Sequence, residues 1–217
     1  PGSRSIDEEG VLLDNVLLVD EGRFCEGDLR ALLGSGPWPS RNVDQNMADL
    51  AAQLDACARG AKGLAAACAE HGPGVVKAYM GHVHANAEEA VRRLVARLSD
   101  GSFRMEMDNG AVIAVAVSVD RAARHVTIDF AGTSAQLPGN FNAPFSVVRA
   151  ATMYVLRTMI DDPIPMNEGC LAPVTIHVPE GSMLNPRYPA AVVAGNVETS
   201  QAVTDALLGA FGALAAS

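Results

Sequence analysis

A chain of 217 residues with 49% hydrophobic and 19% charged content can build one substantial core or two small ones. A net charge of −9, a pI near 4.9 and 16 scattered basic residues exclude a nucleic-acid face, which needs clustered Lys and Arg, and argue against binding to a membrane surface for the same reason. The apolar stretch Val11 to Val19 is broken by Asp14 and preceded by Asp7, Glu8 and Glu9; it is too short to span a bilayer and wrongly flanked for an export signal, so a cytoplasmic protein is expected.

Residues 1 to 45 read as irregular, with a short helix from Gly27 to Leu33 and a loop from Gly34 to Pro39. From Asn46, residues Met47, Leu50, Leu54, Cys57, Ala61, Leu64 and Cys68 recur at three- and four-residue steps, which predicts one helical stripe. His71-Gly72-Pro73 ends it. A second stripe, Val76, Met80, Val83, Ala87, Ala90, Leu94 and Leu98, predicts an antiparallel partner helix.

From Phe103 the period becomes two: Val115, Val117 and Val119, then Val126, Ile128 and Phe130, alternate with small or polar residues. With a tight turn at Asp108-Asn109-Gly110 and a looser one over Asp120 to Arg124, these runs predict a small antiparallel meander. A polar loop from Ala131 to Pro144, a helix from Ser146 to Ile160 and a strand from Val174 to Val178 follow. A buried strand ending at Gly195 and a final helix through Ala202, Leu207 and Phe211 complete the reading. The fold class is α+β, a helical hairpin (46–100) followed by an α+β region (101–217). The chain opens at Pro1 without methionine and closes in an apolar run, Leu207 to Ala216, without a capping glycine, so 1–217 reads as a single fragment of a larger domain.

Cys25, Cys57, Cys68 and Cys170 lack metal-ligand spacing, and on one helix Cys57 and Cys68 would stand roughly 16 Å apart, beyond disulfide reach. Free thiols are expected. His82 and His84 would point about 200° apart on a helix and cannot chelate one ion, and no metal site is assigned. Asn42, Asn46, Asp49 and Gln53 form a polar line beside the first stripe, suited to anchoring the loop at Arg41 or to lining a cleft.

Two features bear on chemistry. There is no Walker lysine, no dinucleotide fingerprint and no Gly-x-Ser-x-Gly elbow. Instead, Asn140, Asn142, Asn167 and Asn196 sit at ends of elements, where they could serve as turn formers or converge on a lactam or carboxylate. The junction Gly195-Asn196-Val197-Glu198-Thr199-Ser200-Gln201 places polar side chains at a helix start, either as caps or around a developing oxyanion.

That junction, together with Asp44-Gln45-Asn46, Ala78-Tyr79-Met80-Gly81-His82, Ile128-Asp129-Phe130-Ala131-Gly132-Thr133-Ser134, Gly139-Asn140-Phe141-Asn142-Ala143-Pro144 and Pro165-Met166-Asn167-Glu168-Gly169, resembles the hydantoinase B/oxoprolinase family, nearest its oxoprolinase members. The resemblance runs nearly the whole chain in order. It implies ATP-dependent opening of 5-oxo-L-proline to L-glutamate, a step of glutathione metabolism. It also implies a hydantoinase A-like subunit or domain as partner, an oligomer, and ATP with a divalent metal bound mainly outside this fragment, which alone is expected to be inactive. In that scheme the lactam oxygen is phosphorylated and water attacks the activated carbon. Asn196, Glu198 and Asp129 become catalytic candidates, the last two as groups that orient or deprotonate water. Asn140, Asn142, Asn167, Thr199, Arg149 and Arg157 become substrate-binding candidates, the arginines for the carboxylate. An ATP-dependent ketone carboxylase or an N-methylhydantoinase subunit of the same superfamily stays open, as does a non-catalytic scaffold docking a partner through the hairpin.

Overall fold

The computed structural model describes residues 2–213 and divides into two compact units, Ile6–Tyr79 and the described residues of Pro1–Ser5 with Met80–Ser217. In the smaller unit, strands β1 (Val19–Asp20) and β2 (Arg23–Phe24) pair antiparallel across Glu21 and Gly22. Both turn residues have positive φ, the backbone a two-residue hairpin requires. Helix α1 (Glu26–Leu33) and the start of α2 (Val43–His71) close a small core of Leu29, Leu33 and Met47, flanked by Val16, Leu18, Phe24, Val43 and Leu50. Arg30 joins the two helices, donating from Nε to Glu26 at 2.9 Å and from Nη1 to Asp44 at 2.6 Å.

Two members of the polar line hold the start of α2 and the loop before it: Asn42 accepts from the Gln45 N–H and caps the helix, while the Ser40 hydroxyl donates to Asn46. The hydrophobic stripe is a different matter. Met47 is buried and Leu50, Leu54 and Cys68 are half-buried, but Cys57, Ala61 and Leu64 are exposed. Periodicity identifies the apolar face of a helix without guaranteeing a cover for it.

Helix α3 (Pro73–Val95) begins one residue after α2 ends, with Gly72 at φ +83° making the turn. Its last turns bury Ala87, Ala90, Val91, Leu94 and Val95 in the core of the larger unit. That core lies against a four-stranded sheet in the order β3 (Gly101–Glu106), β4 (Val112–Asp120), β5 (His125–Asp129), β6 (Val174–His177). The first three strands form the expected antiparallel meander, and β6 joins β5 in parallel. A parallel neighbour needs a crossover, which α4 (Phe145–Thr158) lies within. Ile113, Val115, Val117, Val126 and Ile128 are the buried alternate residues, continued by Phe130.

Helix α5 (Glu198–Ala210) packs against α4, β3 and β4. Its seat is close: a Cβ on Gly209 would lie 2.7 Å from the Phe103 ring. Two expectations are corrected here. No strand ends at Gly195, because Val193–Asn196 turn as a 3-10 helix in which Gly195 N–H bonds the Val192 carbonyl at 2.9 Å. The last helix stops at Ala210, where Gly212 takes φ +69° and Ala213 N–H reaches the Leu208 carbonyl at 2.9 Å. The remainder of the apolar run, 214–216, lies outside the described residues.

Candidate functional site

The junction before α5 is braced by the loop 139–143. Asn140 carbonyl accepts from Ala194 N–H at 3.0 Å, and the Asn142 amide donates to the Ala191 carbonyl at 3.0 Å. Gly195 is pressed against that loop so tightly that a Cβ there would overlap the Asn142 carbonyl oxygen and stand 2.9 Å from the Ala143 Cα. The strand-like composition of Val192 and Val193 therefore gives way to a turn fixed by its neighbours.

The polar side chains of the junction do not cap the helix. Thr199 is fully buried and its hydroxyl donates to the Phe141 carbonyl at 2.6 Å. Ser200 donates back to the carbonyls of Asn196 and Val197, at 3.0 and 3.1 Å. Among the described residues no side chain hydrogen-bonds the N-terminal N–H groups of α5, and Asn196 and Glu198 are exposed. Those donors are the orphan groups that any helix start carries, at its positive end.

Two clefts flank this start. One, of about 640 Å³, lies between α4 and α5 and is lined by Ser146, Ala150 and Tyr154 on one side and Asn196, Gln201 and Asp205 on the other. The second, of about 500 Å³, is lined by Glu106, Asp108, Asn109 and Phe141 opposite Glu198, Gln201 and Asp205. Gln201 and Asp205 line both. Among the described residues no Lys or Arg lines either cleft, and four carboxylates, Glu106, Asp108, Glu198 and Asp205, border the second. Carboxylates thus dominate the second cleft, whereas the first has Asp205 alone, beside the positive end of α5.

Of the residues the sequence offered, Asn196 and Glu198 line these clefts, one each. Asp129, Asn140, Asn142, Asn167, Thr199, Arg149 and Arg157 line neither. Asn142 is fully buried, and its amide is engaged with the backbone of Leu137, Gly139 and Ala191. Asn140 donates to the Ser3 hydroxyl at 3.2 Å, and Asn167 accepts from the Gly169 N–H at 2.8 Å, capping a short turn. Arg149 pairs with Glu168 at 2.6 Å beside a smaller cleft that also holds His84. Arg157 closes the end of α4 by donating to the carbonyls of Ile160 and Ile164. Asp129 lies on the sheet, where its carboxylate accepts from His177 Nδ1 at 2.8 Å and from the Ala131 N–H at 2.9 Å. The His177 hydrogen bond, then that of Ala131, hold its carboxyl below the ordinary aspartate value.

Sequence reasoning passed over Asp205, Glu106, Asp108 and Tyr154. A signal was available for one of them: Glu198, Gln201 and Asp205 recur at steps of three and four along a helix otherwise rich in Ala, Val and Leu, a polar line on one face. Glu106 and Asp108 come to the site only through the packing of α5 on β3, which local sequence does not encode.

The sequence model for "Hydantoinase B/oxoprolinase" matches residues 1–217. The chain is 39% identical to 5-oxoprolinase of Dictyostelium discoideum and 38% identical to 5-oxoprolinase 1 of Arabidopsis thaliana, in each case over 100% of this chain but only 18% and 19% of the relative. The 5-oxoprolinase of Saccharomyces cerevisiae is 35% identical, again over 100% of the chain and 18% of the relative. The chain thus spans under a fifth of the length of these relatives. Among solved structures, the ATP-dependent caprolactamase of Pseudomonas jessenii shares the fold with a TM-score of 0.71 at 23% identity, covering 96% of this chain and 37% of that one. Acetone carboxylase, in a nucleotide-free structure, does so with a TM-score of 0.70 at 14% identity, covering 89% and 28%.

Proposed function

The chain belongs to the hydantoinase B/oxoprolinase family, and from that premise we propose that it is part of an ATP-dependent cyclic-amide hydrolase that opens 5-oxo-L-proline to L-glutamate. The observation that carries this reading is the uncapped start of α5, with Asn196 and Glu198 exposed at its two flanking clefts. A lactam carbon attacked by water gathers negative charge on its oxygen, and preorganised N–H groups are the donors that stabilise such charge. The first-turn N–H groups of α5 and the Asn196 amide serve as those donors. Glu198, an exposed carboxylate within the same turn, takes the proton of the attacking water.

The two clefts at the start of α5 do not fit a nucleotide, and the described residues offer no metal cluster. A triphosphate calls for Lys, Arg or a glycine-rich cradle, and neither cleft is lined by a cation. Among the described residues no three His, Cys, Asp or Glu side chains are placed to hold a metal ion. The family resemblance supports placing ATP and its metal mainly in parts of the complete protein outside this chain, together with a hydantoinase A-like partner region. Among the described residues no helix is long and apolar enough to cross a membrane.

Glutamate release from 5-oxoproline by the complete protein, with and without ATP, tests the proposal. ATP-dependent release supports it. Turnover of a ketone with bicarbonate and ATP, and none of 5-oxoproline, would replace it with the carboxylase alternative.

A further inference from the structure

Resting on the cyclic-amide reading above, we infer that Gln201 and Asp205 form a donor–acceptor pair that recognises the cis amide of the substrate ring, Gln201 reading its carbonyl and Asp205 its N–H.

The two residues are four apart on α5, so their side chains emerge on one face about 6 Å apart at Cβ. They line both clefts, and among the described residues neither side chain makes a hydrogen bond or an ion pair with the protein. Their polar neighbours are committed: Ser200 donates to two carbonyls of the preceding turn and Thr204 donates to the Ser200 carbonyl at 2.9 Å. What remains on this face for a ligand, beyond Glu198 at the helix start, is a neutral amide and a carboxylate, in a fixed order along the helix.

The Gln201 side chain offers two N–H donors, and the Asp205 side chain supplies acceptor oxygens. A ring of five to seven atoms forces its amide to be cis, so that C=O and N–H project from the same edge. An open-chain amide is trans, and its two groups point in opposite directions. A donor and an acceptor side by side therefore match a lactam edge and mismatch a peptide bond. The absence of Lys and Arg from both linings agrees with a neutral functional group at this place.

The consequence is discrimination by the N–H. A site built to hydrogen-bond a substrate N–H rejects the analogue lacking it by up to on the order of 10⁴ in kcat/KM, since the acceptor is left unpaired. The test measures kcat/KM of the complete protein for 5-oxoproline and for its N-methyl analogue, alongside the unfolding midpoint. Wild type is expected to favour the N–H substrate by at least roughly a hundredfold. Asp205→Ala is expected to lower activity on 5-oxoproline and collapse that ratio toward one, whereas Asp205→Asn, which keeps an acceptor oxygen, retains most of it. Gln201→Ala is expected to weaken both substrates alike, because both keep the carbonyl. An unchanged ratio in Asp205→Ala with an unchanged midpoint would overturn the pair while leaving the hydrolase reading intact. Wild type that opens no lactam overturns both.

Discussion

Asn142 donates through Nδ2 to the Ala191 carbonyl, 3.0 Å away across 49 residues of chain, and its Oδ1 accepts from the Leu137 N–H at 2.7 Å. One buried side chain thereby fixes its own loop and the segment that leads into α5. Asn142→Ala would remove the partner of backbone groups of Leu137, Gly139 and Ala191, the last of them buried, and each group left unsatisfied costs about 1–3 kcal/mol. The expected outcome is a loss of several kcal/mol in chemical denaturation, and Asn142→Asp should not restore it, because the carboxylate has no N–H for the three carbonyls.

Two glycine substitutions, one at this junction and one in α2, are expected to act in opposite directions. Gly195→Ala drives a methyl into the Asn142 carbonyl and the Ala143 Cα, backbone atoms that cannot swing aside, so the unfolding midpoint should fall. Gly63→Ala lies in the interior of α2 with nothing within 4 Å of the new methyl, and should stabilise by roughly 0.5–1 kcal/mol through helix propensity. Thermal unfolding of both variants checks the pair.

These contrasts show how far sequence reached. The stripes of α2 and α3 and the alternation around Val115 and Val126 were legible because period alone fixes which face is apolar. Val192 and Val193 were misleading for a tertiary reason: their β-branched character is overridden by a glycine pressed on a neighbouring loop. At the site, Asn196 and Glu198 could be singled out from the break at Gly195, but Glu106, the last residue of β3, and Asp108, in the turn after it, come from some ninety residues earlier. The asparagines were legible as important without revealing whether they face a ligand or the backbone; Asn142 shows the latter.

Asp129 predicts a pH dependence. Its folded carboxyl is held low by His177 first and by the Ala131 N–H next, against an unfolded value near 3.9. A depressed carboxyl contributes stability that is present above the unfolded value and lost as pH falls through the folded one. Stability should therefore decline below about pH 4. Asp129→Asn should lose part of that slope, with a modest effect at pH 7 because the pair is well exposed to solvent. Denaturant titrations between pH 2 and 7 measure it, and an identical slope in the variant would remove Asp129 as a contributor.

The four cysteines are free, with Cys57 exposed, Cys25 and Cys68 half-buried and Cys170 buried. A thiol reagent should modify Cys57 fastest and Cys170 only when the larger unit opens, and denatured protein should titrate all four without a reductant.

The decisive prediction concerns Asn196 and Glu198. In the complete protein, Asn196→Ala and Glu198→Gln are expected to lower kcat by roughly a hundredfold or more, the scale on which removing a transition-state donor or a base acts. Stability should hardly change, since both residues are exposed and neither caps α5. A capping role would give the converse pattern, with turnover nearly intact and a loss of about 1 kcal/mol in unfolding free energy. Measuring kcat and the unfolding midpoint on the same preparations separates the two, because a catalytic group moves the first without the second. Normal turnover in both variants would sink the assignment of the α5 start as the reacting centre, and would leave these clefts as binding surfaces alone.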